Sequence, residues 1–255
     1  MTRLDKSPSK PRVGITIGDP AGIGPEIVLR SVATPEVSSV CQPIIIGDDA
    51  ELRRQAHELA LLCDYPSITE DQLSGGELPG PSIFNTGTRE RVASVAWGQT
   101  SAAGGHAAIK SIDVATRLCL QGRLDAIATA PINKESLKLA GSPFPGHTEM
   151  LASLCGSDKS LMCFFSGDLR VVLLSIHVSL TEAIRAVTTK RVIDALMLTH
   201  QELGRFGQPN PRIAVAGLNP HASEHGLFGF EEAREIEPAI AACVARGLNV
   251  SGPYP

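Results

Sequence analysis

Aromatic side chains are scarce. They make up 4% of the 255 residues, too few for a platform that stacks bases. Basic charge is not in excess either: 23 Lys and Arg face 27 Asp and Glu, for a net charge of −4 at pH 7. A chain without a basic field cannot hold a nucleic-acid backbone, so nucleic acid is set aside as a partner. No apolar run is long enough to span a bilayer, which argues against a membrane role. Residues 1–12 are polar, basic and proline-containing. They lack the apolar centre of a secretory signal and read as a disordered lead-in. The six cysteines, at 41, 63, 119, 155, 163 and 243, include no C-x-x-C pair. Most lie in apolar runs, which predicts reduced, buried thiols in a cytoplasmic protein and leaves little room for a zinc finger or redox pair.

What is present is the composition of an ordinary globular chain, 43% hydrophobic and 20% charged, long enough for one large domain or two small ones. Strand-type and helix-type runs alternate. Val13-Gly14-Ile15-Thr16-Ile17 is a first strand and Pro43-Ile44-Ile45-Ile46 a second. A helix is expected from residue 50 to about 62. Residues 64–100 are irregular, a helix runs over 102–121, and a strand over 124–130. Such alternation predicts a mostly parallel sheet covered on both faces. The second half differs: residues 161–165 and 169–176 flank Ser166-Gly167-Asp168 and read as a hairpin. Ser179-x-x-Glu182 is a capping box. Helices are expected over 189–203, ended by Gly204, and over 230–246, with a strand at 212–217 between them.

Several polar groups fall where strands end, which is where ligands bind in open α/β sheets. Ser175-Ile176-His177-Val178-Ser179 follows one apolar run, and Gly217-Leu218-Asn219-Pro220-His221 follows another. Two imidazoles delivered there can share one divalent metal, or they can be unrelated loop residues. Glu224, Glu231 and Glu232 are near in sequence, and a mixed imidazole and carboxylate site suits Zn²⁺, Mn²⁺, Co²⁺ or Mg²⁺. Glu231 and Glu232 also suit the first turn of a helix, where negative charge complements the dipole. Gly18-Asp19-Pro20-Ala21-Gly22-Ile23-Gly24-Pro25-Glu26 joins a strand to a helix. It matches neither the Rossmann spacing nor a Walker loop, and reads equally as a ligand loop or a tight structural turn. Thr129-Ala130-Pro131-Ile132-Asn133-Lys134 and Pro145-Gly146-His147-Thr148-Glu149 offer clustered donors for an anionic, hydroxylated substrate; the alternative for both is a capped helix start. His57, His200 and His225 have no such context, and His106 stands at a helix start.

Taken in order along the chain, these motifs resemble the 4-hydroxythreonine-4-phosphate dehydrogenase family of vitamin B6 biosynthesis. The resemblance rests on the Gly18 to Glu26 loop, Thr129 to Lys134, Gly146-His147-Thr148-Glu149, His177 and Gly217-Leu218-Asn219-Pro220-His221. It implies a two-domain, three-layer α/β/α fold like that of the isocitrate and isopropylmalate dehydrogenases, divided as 13–130 and 131–255. It also implies a homodimer with the active site at the subunit interface. The implied reaction is NAD-dependent, divalent-metal-dependent (Zn, Mg or Co) oxidation of 4-phosphooxy-L-threonine, whose β-keto acid product decarboxylates to 3-amino-2-oxopropyl phosphate. His147 and Thr148 match the family's substrate-binding positions, and His177 and His221 match two of its three metal-binding histidines. Lys134 is assigned from its position to charge placement or proton transfer. No motif locates the NAD contacts. Ser223 and His225 depart from the pattern, standing where glycines are common. The family's third metal ligand and its C-terminal substrate-binding residues have no counterpart here, so part of the fold is expected to be missing and a chain ending at Pro255 to be inactive. Rival readings are a sibling dehydrogenase acting on D-threonate or D-erythronate 4-phosphate or a dihydrodiol carboxylate, a metal-dependent hydrolase, and a non-catalytic remnant.

Overall fold

A computed structural model of the chain describes residues 10–74, 78, 80–87 and 95–255. Most of the expected lead-in, and parts of the irregular stretch at 64–100, lie outside the described residues. The chain divides into two compact units, Met1–Lys159 and Ser160–Pro255.

In the first unit the order is β1 (Arg12–Thr16), α1 (Gly24–Val32), α2 (Pro35–Val40), β2 (Gln42–Gly47), α3 (Asp49–Glu58), β3 (Ser67–Ile68), α4 (Glu70–Ser74), β4 (Ser82–Asn85), α5 (Ala102–Leu120), β5 (Ala126–Thr129), α6 (Lys134–Leu139) and α7 (His147–Leu154). Five strands form a sheet in the order β3-β4-β2-β1-β5, and every pairing is parallel. A parallel strand buried on both faces has no polar side to present, so Ile44, Ile45 and Ile46 can follow one another in β2. All three are fully buried. Side chains alternate across a strand. Ile45 therefore packs with Val28, Leu29 and Val32 of α1 and Leu52 of α3, whereas Ile44 and Ile46 pack with Ala115 and Leu118 of α5 and Leu73 of α4. These two cores make the three layers. The two short strands β3 and β4 lie in the stretch expected to be irregular; their few residues carry no period that a sequence pattern can register.

The first unit runs past the expected boundary at residue 130. The reason is packing: Leu137 of α6 and Met150 of α7 share a small core with Ala108 and Ile112 of α5, which ties residues 131–159 to the unit before them. The end of α3 also differs from expectation. The helix that starts at residue 49 ends at Glu58, where Leu61 N–H turns back to the Ala56 carbonyl and Ala60 takes φ 51°.

The second unit contains β6 (Met162–Ser166), β7 (Leu169–Leu173), α8 (Leu180–Ala186), α9 (Thr189–Arg205), β8 (Ile213–Ala216), α10 (Glu237–Val244) and β9 (Val250–Tyr254). β6 and β7 form the expected antiparallel hairpin, though β7 stops at Leu173 rather than 176. The capping box is present at the start of α8: Glu182 N–H donates to the Ser179 hydroxyl, and the Glu182 carboxylate accepts from Ser179 N–H. α9 continues through Gly204 to Arg205. β8 and β9 pair in parallel, connected through a π-helical turn (Glu232–Ile236) that leads into α10. Val192 and Leu196 of α9 pack with Ala239, Ile240 and Cys243 of α10 and Val250 of β9. All six cysteines are free thiols, but only Cys243 is buried and Cys155 is exposed. The expectation of generally buried thiols fails because most of their apolar runs lie on half-covered elements. Among the described residues no helix is long and apolar enough to cross a membrane.

Because Ile45 and Ile46 serve opposite faces, each supports a separate core. Ile45→Ala and Ile46→Ala are each expected to lower unfolding free energy by about 2–5 kcal/mol, measured by urea denaturation.

Candidate functional site

The Gly18 to Glu26 loop leaves the carboxyl end of β1. Gly18 has φ +70°, and a Cβ there would stand 2.1 Å from the Pro131 carbonyl oxygen; a Cβ on Gly24 would stand 2.1 Å from that of Ile17. Both glycines therefore permit backbone to pass close over backbone, which favours the tight-turn reading of the loop. Asp19, 3% exposed, accepts from Ala21 N–H at 2.8 Å through Oδ1, while its N–H donates to Pro131 O at 3.1 Å. The same oxygen lies where a Cβ on Gly104, in the first turn of α5, would be only 2.5 Å away. The carboxylate thus sits against the positive end of a long helix.

Pro131 leads to the start of α6. Asn133 is spent on capping that helix: its Oδ1 accepts from Glu135 and Ser136 N–H, both at 2.9 Å. Lys134 is the first helical residue and is exposed. A cation at that end opposes the helix dipole by about 0.3–1 kcal/mol, so helix stability alone does not select it.

His147 and Thr148 open α7, whose N-cap is Gly146 with no side-chain cap. A capped start, with Thr148 or Glu149 on backbone amides, is the alternative for this motif, and neither side chain caps the helix. The His147 Nε2 atom is buried without a hydrogen-bond partner. Burial holds the imidazole below its ordinary pKa, so it is neutral at pH 7. A buried, unpaired ring nitrogen beside uncapped amides is suited to a polar, anionic guest.

In the second unit His177 follows β7 and His221 follows β8, and both side chains are exposed. Both also have left-handed backbone, at φ 55° and 53°. Non-glycine residues enter this region rarely, and such outliers cluster at functional sites. At His221 the conformation continues: residues 221–225 have φ between 42° and 71°, at an intrinsic cost on the order of 1–2 kcal/mol per residue. Gly217 lets this turn fold back, since a Cβ there would be 2.9 Å from Ala222 Cα. The His221 ring lies 5.9 Å from that of Phe228.

The turn is held by residues assigned other work from sequence. Glu232 is 1% exposed. Its Oε1 accepts from Leu218 N–H at 2.8 Å and Asn219 N–H at 2.6 Å, and its Oε2 accepts from Asn219 Nδ2 at 2.9 Å. Burial pushes the Glu232 carboxyl up, but the Asn219 N–H, the Asn219 side-chain amide, its own N–H and the Leu218 N–H together outweigh burial and hold it below the usual carboxylate range. Asn219 Nδ2 also donates to Glu231 Oε2 at 2.8 Å, which keeps that carboxyl low as well. Glu231 and Glu232 thus bond to the loop before the turn rather than serve mainly as helix-dipole partners. The signal missed was tertiary: a carboxylate more than ten residues downstream reaching back to two backbone amides.

The donor chemistry of His177 and His221 fits a divalent transition metal, for which imidazole is a preferred ligand. Among the described residues, no group of three or more His, Cys, Asp or Glu is arranged to hold an ion. Glu224, Glu231 and Glu232 are therefore not joined with the histidines into one such cluster.

The family model of the pyridoxal phosphate biosynthetic protein PdxA matches residues 39–255. A 4-hydroxythreonine-4-phosphate dehydrogenase of Geobacter metallireducens is 42% identical over 248 residues, covering 96% of this chain and 72% of that protein. A D-threonate 4-phosphate dehydrogenase of Cupriavidus necator is 40% identical over 252 residues, covering 96% of this chain and 73% of that one. Among solved structures, the 4-hydroxythreonine-4-phosphate dehydrogenase of Klebsiella pneumoniae matches with a TM-score of 0.89 at 37% identity, over 98% of this chain and 75% of that chain. The layered α/β fold and these relatives define an oxidoreductase. More narrowly, the chain belongs to the PdxA family and is a dehydrogenase of the PdxA type.

Because folded His147 resists protonation, the unfolded chain binds more protons once the pH drops through the ordinary histidine range near about 6.5. Stability is therefore expected to fall with pH from there down to the depressed pKa. His147→Asn should flatten that part of the stability curve, and NMR titration should place the His147 midpoint below that of free histidine.

Proposed function

We propose that the protein is an NAD-dependent, divalent-metal-dependent dehydrogenase that oxidises 4-phosphooxy-L-threonine to a β-keto acid, which then decarboxylates to 3-amino-2-oxopropyl phosphate. The observation that carries the reading is that His177 and His221, the family-matched ligand positions, both follow strands of one unit on left-handed backbone. A fold does not by itself retain that conformation at two exposed imidazoles.

His177 and His221 would hold the metal. When bound, a divalent ion supplies Lewis acidity toward a hydroxyl oxygen. NAD, when bound, supplies the hydride acceptor. The chain's own residues bind and orient. His147, neutral and with Nε2 unpaired, hydrogen-bonds a substrate hydroxyl or carboxylate. Thr148 adds a hydroxyl, and the uncapped amides of α7 favour the anionic part of the substrate. The alcohol carbon loses a hydride and its hydroxyl a proton. The β-keto acid then releases CO₂ and takes up a proton at the carbon that bore the carboxylate. Lys134 Nζ, placed against its own helix dipole, is assigned positive charge for the substrate and the proton for the last step.

A homodimer with an interface active site belongs to the same reading. Its support is the hairpin, which leaves Phe164, Phe165 and Leu169 more than half exposed, apolar surface available to a second copy. The second reading, a D-threonate 4-phosphate dehydrogenase, is favoured by the relative of that name. The two share their core motifs.

The test is NADH absorbance with each phosphorylated hydroxy acid, NAD⁺ and a series of divalent ions. Turnover with 4-phosphooxy-L-threonine supports the first reading, turnover only with D-threonate 4-phosphate the second, and NAD-independent hydrolysis defeats both. His221→Ala is expected to abolish metal-dependent turnover, and near-normal rates would remove it from the ligand set. Lys134→Ala should lower kcat while the protein stays fully folded.

A further inference from the structure

We propose that Glu232 and Ser223 are positioning residues for His221, clamping the entrance and the middle of the left-handed turn that presents its imidazole. The inference rests on the reading of His221 as a metal ligand and adds the device that keeps that ligand in place.

Residues 221–225 carry φ/ψ of 53/30, 49/48, 71/−12, 42/60 and 57/30 degrees. None is glycine, so their intrinsic backbone preference does not hold this conformation. The surroundings must do so. At the entrance, both N–H groups just before Pro220 donate to one carboxylate oxygen of Glu232, and the second oxygen takes the Asn219 side-chain amide. Apart from its own N–H, the donors to the Glu232 carboxylate are residues 218 and 219. A charged group 1% exposed is costly unless it is satisfied, and here three of the bonds that satisfy it are directed to the segment ahead of His221. Glu232 opens a π-helical turn, in which Glu237 N–H reaches back to the Glu232 carbonyl. The extra residue shifts the helical face there, a feature frequent at functional sites.

In the middle, Ser223 is 3% exposed. Its hydroxyl donates to the Gly229 carbonyl at 2.6 Å and accepts from Gly226 N–H at 3.1 Å. Phe228 N–H donates to the Ser223 carbonyl at 3.2 Å. Ser223 thus ties the middle of the turn to the chain that follows. Without both anchors, the five residues would relax toward right-handed conformations and His221 would swing away.

The test uses the purified full chain and its variants Glu232→Gln, Ser223→Ala and His221→Ala. Glu232→Gln keeps the size but sets an NH₂ against the Asn219 amide; Ser223→Ala removes the hydroxyl alone. Three quantities are measured: affinity for Co²⁺ from its visible absorption, the melting temperature, and amide hydrogen exchange at Leu218 and Asn219 without metal. Both clamp variants should weaken Co²⁺ binding by about 10–100-fold, and Glu232→Gln should speed exchange at both amides. Lowered melting temperature with unchanged Co²⁺ affinity in the folded variants would make the role structural only and overturn the proposal. If His221→Ala binds Co²⁺ like the parent, the ligand reading fails. The clamp is then judged by exchange and by the His221 ring resonance, and unchanged values in both variants defeat it too. Should Glu232→Gln not fold, Ser223→Ala decides by the same readouts.

Discussion

A chain that leaves a strand inside a layered α/β fold has to change direction within a few residues, and that constraint organises this molecule. At the end of β1 the reversal uses Gly18, with positive φ and no room for a side chain. At the ends of β7 and β8 it passes through His177 and His221, which have side chains and adopt positive φ all the same. The glycine solution is relaxed. The histidine solution is strained and needs compensation from elsewhere. The polar chemistry of the chain gathers where these reversals occur.

The compensation differs by place. In the first unit the loop over β1 is secured by Asp19, buried against the first turn of α5 and bonded within its own loop. In the second, Glu232 does comparable work at β8 from the opposite direction, reaching back from a helix start to the two amides before the turn. A buried carboxylate is expensive to keep charged, and in Glu232 the hydrogen bonds prevail over burial. The loop that carries His221 is therefore tied down by a charged group.

His147 shows another balance. Its ring is partly buried, its Nε2 has no partner, and burial favours the neutral form. A group left in this state is ready to accept or donate one hydrogen bond to a guest. Together with the uncapped amides of α7, it is the basis on which the proposed reading assigns the start of that helix to the polar, anionic part of the substrate.

Much of this was legible in the residues. The unbroken Ile44-Ile45-Ile46 run marks a strand buried on both faces, because only a parallel sheet between helix layers leaves no polar side. Ser179 and Glu182 mark a helix start, because their reciprocal bonds are local. The ordered motifs around Gly18, Asn133, His147, His177 and His221 mark the family. Local chemistry and short periods are properties of adjacent residues, so the sequence alone determined them. The extent of the first unit, the short strands β3 and β4 and the left-handed course of residues 221–225 were decided only by tertiary structure. So was the part played by Glu232, whose partners lie 13 and 14 residues away. Each depends on which distant groups meet. A backbone that its own residues disfavour can be specified only by the contacts that outweigh their preference.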